Sequence, residues 1–159
     1  TMFGSSSYPL RLELAREYGA EHVFDIRNTT AEEREKAVKD ITGGLGFELA
    51  FEASGNPDAI LEGLNLLGKR GEYVIPGQYS NRGSVSIPPE MITTKALRLI
   101  GSGQYAVRHV ANYLELLKEK EISRLAARAV THTYPLSAIN EAFKTAISGK
   151  CVKILLENV

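Results

Sequence analysis

The chain has 159 residues, 43% of them hydrophobic, enough for one domain with a proper core. Nineteen basic residues balance nineteen acidic ones, so no global field points to nucleic acid or a membrane surface. No apolar run approaches the roughly twenty residues that span a bilayer, the N-terminus has no signal-peptide pattern, and the one cysteine, Cys151, excludes an internal disulfide framework and suits a reducing cytoplasm.

In chain order, Thr1 to Gly4 reads as the tail of a strand and Ser5-Ser6-Ser7-Tyr8 as a polar turn. Pro9 starts a helix carrying Leu10, Leu14, Ala15 and Tyr18, and Gly19 ends it. His22 to Ile26 is a short strand, and Thr30 with Glu33 makes a capping box for a helix from Ala31 to Ile41. Thr42-Gly43-Gly44-Leu45-Gly46 leads into the stretch that organises the rest. There, Phe47 to Glu52 is a run of strand formers, and Ala53-Ser54-Gly55 ends it in small residues. Asn56-Pro57-Asp58 opens a helix carrying Ile60, Leu61, Leu64 and Leu67, with Gly68 as its expected left-handed stop. After a Lys69-Arg70-Gly71 turn, Tyr73-Val74-Ile75 is a second strand, closed by Pro76-Gly77.

Beyond this unit, Ser84 to Ile87 and Leu97 to Ile100 read as strands flanking a short helix at Glu90 to Lys95. Val107 to Lys118 is an amphipathic helix with Val110, Tyr113, Leu114 and Leu117 on one face. Ala129 to Tyr134 is a strand, Ser137 caps a helix through Ile147, and Cys151 to Leu156 is a last strand. Alternating strands and helices imply an α/β fold with a doubly wound parallel sheet. In such sheets ligands bind beyond the carboxyl ends of the strands. Those ends are Ala53-Ser54-Gly55 and Pro76-Gly77-Gln78, small or backbone-rich segments that let a flat ligand come close.

The stretches Arg11 to Arg16 and Tyr18 to Val23, Thr42-Gly43-Gly44-Leu45-Gly46, Ala53-Ser54-Gly55 with Gly71 and Gly77, and Gly101-Ser102 follow one another in an order that resembles the medium-chain dehydrogenase/reductases, the family of zinc alcohol dehydrogenases. The ending from Thr131-His132 through Pro135-Leu136, Asn140 to Phe143, Gly149-Lys150 and Lys153 is similar to that family's C-terminal segment. The resemblance covers essentially the whole chain. It implies a Rossmann-type sheet lacking its first strand and phosphate loop, so that residues 1–159 form a partial dinucleotide-binding domain without the catalytic domain. Gly43-Gly44-x-Gly46 is not that phosphate loop, because it precedes a strand instead of following one and opening a helix.

The resemblance implies an NAD(P)-dependent oxidoreductase that moves hydride between nicotinamide and an alcohol or carbonyl. The alternatives are a zinc-independent quinone or enoyl reductase portion, or a non-catalytic association module. Ser5 and Ser6 stand where NAD-preferring members carry an acid, which leans toward NADP, with Arg11 or Arg27 adding charge; otherwise these serines simply cap a helix. Ala53, Ser54 and Gly55 resemble the segment along the riboses. Pro76, Gly77 and Gln78, with Gly101, Ser102 and Gln104, resemble the nicotinamide pocket, although ordinary βα turns use the same residues. Lys153 matches a basic position near the pyrophosphate; by itself it reads as a solvated edge residue. His22, His109, His132 and Cys151 lack zinc-ligand spacing and read as structural, so zinc belongs to the catalytic domain if anywhere. No turnover is expected from this chain alone. Leu97 to Ile100, an apolar late strand, is the expected edge for a homodimer or larger assembly.

Overall fold

A computed structural model describes residues 3–158, with no side-chain account of Phe3. Thr1 and Met2, placed by the sequence in the first strand, lie outside the described residues. The chain divides into two compact units, Thr1–Thr29 together with Tyr105–Val159, and Thr30–Gln104.

In the first unit, β1 (Phe3–Ser6) pairs in parallel with β2 (His22–Asp25) across α1 (Pro9–Glu17). Gly19, at φ 99°, follows α1 as the sequence requires. Leu12 and Leu14 of α1 are buried, while Arg128 reaches Glu17 with bonds of 2.9 and 3.1 Å and the Tyr18 hydroxyl donates to the Leu125 carbonyl. The later part contributes α5 (Val107–Leu116), α6 (Lys120–Arg128), β6 (Val130–Pro135), α7 (Ile139–Ile147) and β7 (Lys153–Glu157), with β6 and β7 again parallel. Helix α6 went unread in the sequence, where Lys120 to Arg128 had no capping residue or proline to mark its start; its N-cap is Glu119, without a side-chain bond. Ser137 does not cap α7. It sits in a single 3₁₀ turn, Leu136–Ala138, and Ala138 takes the cap position.

The second unit begins with α2 (Ala31–Ile41), whose capping box is present: the Glu33 amide donates to Thr30 Oγ1 at 3.1 Å and the Thr30 amide to Glu33 Oε2 at 2.7 Å. A parallel sheet follows in the order β3 (Phe47–Phe51), β4 (Leu67–Ile75), β5 (Arg98–Gly101). Helix α3 (Pro57–Leu66) crosses from β3 to β4, and α4 (Pro89–Lys95) lies between β4 and β5 in sequence. Asn56 caps α3 by accepting the Asp58 amide at 3.1 Å. The core of this unit is Ile60, Leu64, Leu67, Tyr73 and Leu97. The neighbours β1–β2 and β3–β4–β5 are those that the strand order 3-2-1-4-5-6 assigns to its second and third and its fourth to sixth strands.

Two sequence expectations need correction here. Gly68 does not stop α3: Leu67 is already extended, and β4 starts there and carries an irregularity in which Phe47 pairs with Leu67 but Leu49 pairs with Glu72. Arg70, at φ 61°, takes the left-handed turn within it. Gly68 is small because a Cβ there would run into the Leu45 carbonyl. Ser84 to Ile87 forms no strand; Val85 and Ile87 instead pack loop side chains onto the core, which explains their apolar pattern.

Candidate functional site

The carboxyl ends of β3 and β4 lead into two short segments that touch. Gly55 is buried at φ 69°, and a Cβ on it would collide with the carbonyl of Gln78. Gly77 is equally tight: a Cβ there would meet the Glu52 carboxylate, with Gly55 N and Tyr79 Oη each 3.0 Å away. The backbone continues the ladder past the strands, Glu52 N–H donating to Val74 O at 2.9 Å and Gly77 N–H to Glu52 O at 3.0 Å. The β5 end joins them, because the Ser102 amide donates to the Ile75 carbonyl at 3.1 Å. Ala53, Ser54, Pro76, Gln78, Ser102 and Gln104 are exposed above this arrangement, Gln104 with φ 62°. Around Gly101 and Gly103 a Cβ would meet open space. The structure thus brings together eight of the sequence-predicted site residues, Ala53, Ser54, Gly55, Pro76, Gly77, Gln78, Ser102 and Gln104, along three adjacent strand ends.

Beneath them sits Glu52, 5% exposed, which sequence reading counted only as the end of an apolar run. Oε1 accepts the Ser54 amide at 2.7 Å and the Ser54 hydroxyl; Oε2 accepts the Gly55 amide at 3.3 Å and the Tyr79 hydroxyl. Burial alone would raise the carboxyl pKa. The hydrogen bonds outweigh it and hold the group below its ordinary value. Desolvation, with the neighbouring Glu52 charge, pushes the Tyr79 phenol up in turn, so the pair stays a carboxylate accepting from a phenol. The signal available in the sequence was an acid closing an apolar strand immediately before a turn of small residues.

The other four candidates, Ser5, Ser6, Arg11 and Lys153, belong to the first unit. Ser6 Oγ accepts the Tyr8 amide at 3.2 Å, and α1 is capped by Tyr8 without a side-chain bond, so neither serine acts as the helix cap. Arg11 lies over the Tyr8 ring, 4.6 Å from its centre, at the same turn. Arg27 is not free to add charge there. It grips Asp25, paired across the ladder with Ser6, through bonds of 2.5 to 3.2 Å, and these hold the Asp25 carboxyl at about 2. Lys153 is exposed on β7, its amide donating to Ala129 O at 3.0 Å.

The residues fit a dinucleotide better than a metal. Close-packed strand ends with exposed backbone offer a flat surface for a ring and ribose. Among the described residues no three His, Cys, Asp or Glu side chains converge on a common point, so their donor set does not fit a zinc centre. Cys151 is buried with Sγ against the Thr145 carbonyl at 3.8 Å. Among the described residues no helix is long and apolar enough to cross a membrane.

Residues 1–119 match the family model described as zinc-binding dehydrogenase. The chain is 30% identical over 153 residues to a sorbitol dehydrogenase of Halalkalibacterium halodurans, a match covering 96% of this chain and 43% of the relative. It is 29% identical over 150 residues to the 5-exo-hydroxycamphor dehydrogenase of Pseudomonas putida, covering 94% and 42%. Among solved structures, an alcohol dehydrogenase zinc-binding domain protein from Burkholderia ambifaria superposes with a TM-score of 0.85 at 26% identity, over 100% of this chain and 42% of that one. The chain spans about two fifths of the length of these relatives.

Proposed function

The chain belongs to the zinc-binding dehydrogenase family, and from that premise we propose that residues 1–159 are the cofactor-binding portion of a longer NAD(P)-dependent oxidoreductase. That enzyme moves hydride between nicotinamide and an alcohol or carbonyl. The observation that carries this reading is the contact between the Ala53-Ser54-Gly55 turn and the Pro76-Gly77-Gln78 loop at adjacent parallel strand ends. In this reading those six residues, with Ser102 and Gln104, line the nicotinamide and ribose side. The family resemblance, by itself, gives Ser5, Ser6 and Arg11 to the adenosine and Lys153 to the pyrophosphate. Bound nicotinamide supplies the hydride acceptor or donor; this chain's part is to fix the ring and exclude water. Any zinc the enzyme uses, and its proton-relay groups, belong to the catalytic domain, and the enzyme works in the cytoplasm.

For cofactor choice the Ser5-Ser6 turn favours NADP. Its hydroxyls can donate to a 2′-phosphate, Arg11 stands at the same turn, and Asp25, paired across the ladder with Ser6, is neutralised by Arg27. Calorimetric titration of the chain with NADPH and NADH tests both points. Where the chain binds, NADPH should bind at least as tightly as NADH, and Ser6→Asp should turn the preference toward NADH. No binding of either cofactor would favour the second reading, an association module. That reading has its own support in the exposed apolar residues Val107, Val110, Tyr113 and Leu114 of α5.

A further inference from the structure

Glu52 and Arg34 both carry charge in the interior, at 5% exposure each. Arg34 answers Glu62 through bonds of 2.6 and 2.7 Å and ties α2 to α3. Glu52 is different, because the four donors to its carboxylate are neutral and come from both site loops: Ser54 N–H, Ser54 O–H, Gly55 N–H and Tyr79 O–H. Two donors reach each oxygen, which takes up the acceptor capacity of a carboxylate.

Fold stability alone does not explain such a group. An ionised carboxylate is costly to bury, and well-packed apolar residues often replace buried charges with no loss. What an apolar side chain cannot do is hold two separate backbones at a set spacing by directed bonds. The loops concerned cannot do this for themselves: Ala53, Ser54, Gly55, Pro76 and Gly77 carry little or no side chain to interlock. The carboxylate also lies against Gly77, where a Cβ would strike Oε2.

We infer that Glu52 is the positioning residue of the proposed nicotinamide site, its carboxylate clamping the Ala53-Ser54-Gly55 turn to the Pro76–Tyr79 loop so that the two present one preformed surface to the ring. The inference rests on the cofactor reading given above. The clamp acts through the loops; Glu52 itself is beneath them and touches no ligand.

The test follows backbone amides of the ¹⁵N-labelled chain during NADH titration, in wild type, Glu52→Gln and Tyr79→Phe. In the wild type the amides of Ser54, Gly55, Gly77 and Gln78 should shift on binding. Absence of those shifts would overturn the cofactor reading and this inference with it. Glutamine keeps the size but turns a donor toward Gly55 and Tyr79, so its Kd should rise about tenfold, with faster amide exchange in both loops. Tyr79→Phe keeps the ring in the core and removes only the hydroxyl that joins the outer loop. Its melting temperature should fall, because a buried carboxylate oxygen loses a donor, but the variant stays folded at the titration temperature. Its Kd should rise about fivefold, with faster amide exchange confined to the Pro76–Tyr79 loop, which a merely structural role would not produce. Wild-type shifts together with an unchanged Kd in folded Tyr79→Phe would overturn the clamp and leave the cofactor reading standing.

Discussion

Replacing Gly55 by alanine puts the geometry of the paired loops on an energy scale. Two costs combine at this position. The residue sits at φ 69°, and an L-residue held in the left-handed region loses about 1–2 kcal/mol relative to glycine. The new methyl also points into the Gln78 backbone, with its carbonyl carbon at 3.1 Å and nitrogen at 3.2 Å. Backbone cannot swing aside as a flexible side-chain tip can, so overpacking adds about 1–3 kcal/mol. The sum is about 2–5 kcal/mol, or a melting temperature lower by very roughly 2–4 °C for each kcal/mol in a chain of this size. Gly43→Ala supplies the control: its φ is 61°, yet no atom lies within 4 Å of the added Cβ. That variant should lose only the left-handed term, about 1–2 kcal/mol. Urea unfolding followed by circular dichroism measures both, and the gap between them isolates the contact between the two loops. If Gly55→Ala proves no less stable than Gly43→Ala, the loops do not touch as described and the site loses its foundation.

Thr30→Ala removes one half of the capping box on α2 and should cost about 1 kcal/mol by urea unfolding; a neutral result would mean that the box is not formed in solution. Glu52 carries a pH dependence: its folded-state carboxyl lies below the ordinary value of 4.5, so its contribution is complete above that value and is lost as pH falls through the folded-state one. The stability gap between wild type and Glu52→Gln should therefore shrink on the acid side of about pH 4.5, while Asp25, Glu17 and Glu121 titrate alike in both proteins and cancel. A gap that stays constant across that range contradicts the assignment of an ionised carboxylate. For assembly, β5 is an outer strand of its sheet with Leu99 41% exposed, and we expect a homodimer or larger assembly through that edge. Light scattering on Leu99→Lys should show a smaller species, whereas a wild-type monomer would end the proposal.

Periodicity and punctuation carried most of the fold. Thr30 with Glu33, Asn56-Pro57 and Gly19 each mark a helix end by chemistry that acts within a few residues, and each stands where the sequence put it. Legibility failed where distance in the chain decided the outcome. Gly68 looks like a helix stop locally, but its smallness serves a carbonyl more than twenty residues earlier. Val85 and Ile87 alternate like a strand, yet their partner is the core beneath them and no neighbouring strand takes up their backbone. The residues at the strand ends were legible as types, because small residues there are visible in a sequence. Their support was not: Glu52 lies in an apolar run, and nothing local reveals that Tyr79, twenty-seven residues on, closes its second oxygen.

That difference has a physical origin. A ring-binding surface at parallel strand ends has to be made of small residues so that backbone can approach the ligand, and small residues supply no packing to hold that backbone still. Hydrogen bonds along the strands fix the segments only as far as Glu52 and Gly77. Past that point the turn and the loop need a group that bonds to both, reaches from below, and leaves the upper face clear. A carboxylate suits this need well, since it accepts from amide and hydroxyl alike and presents no donor to compete with them. Its charge, unpaired with any cation among the four donors described, is then tolerated because each hydrogen bond to it is stronger than one to a neutral acceptor. The features such a surface requires thus call for a buried anion one step behind it, and Glu52 occupies that step.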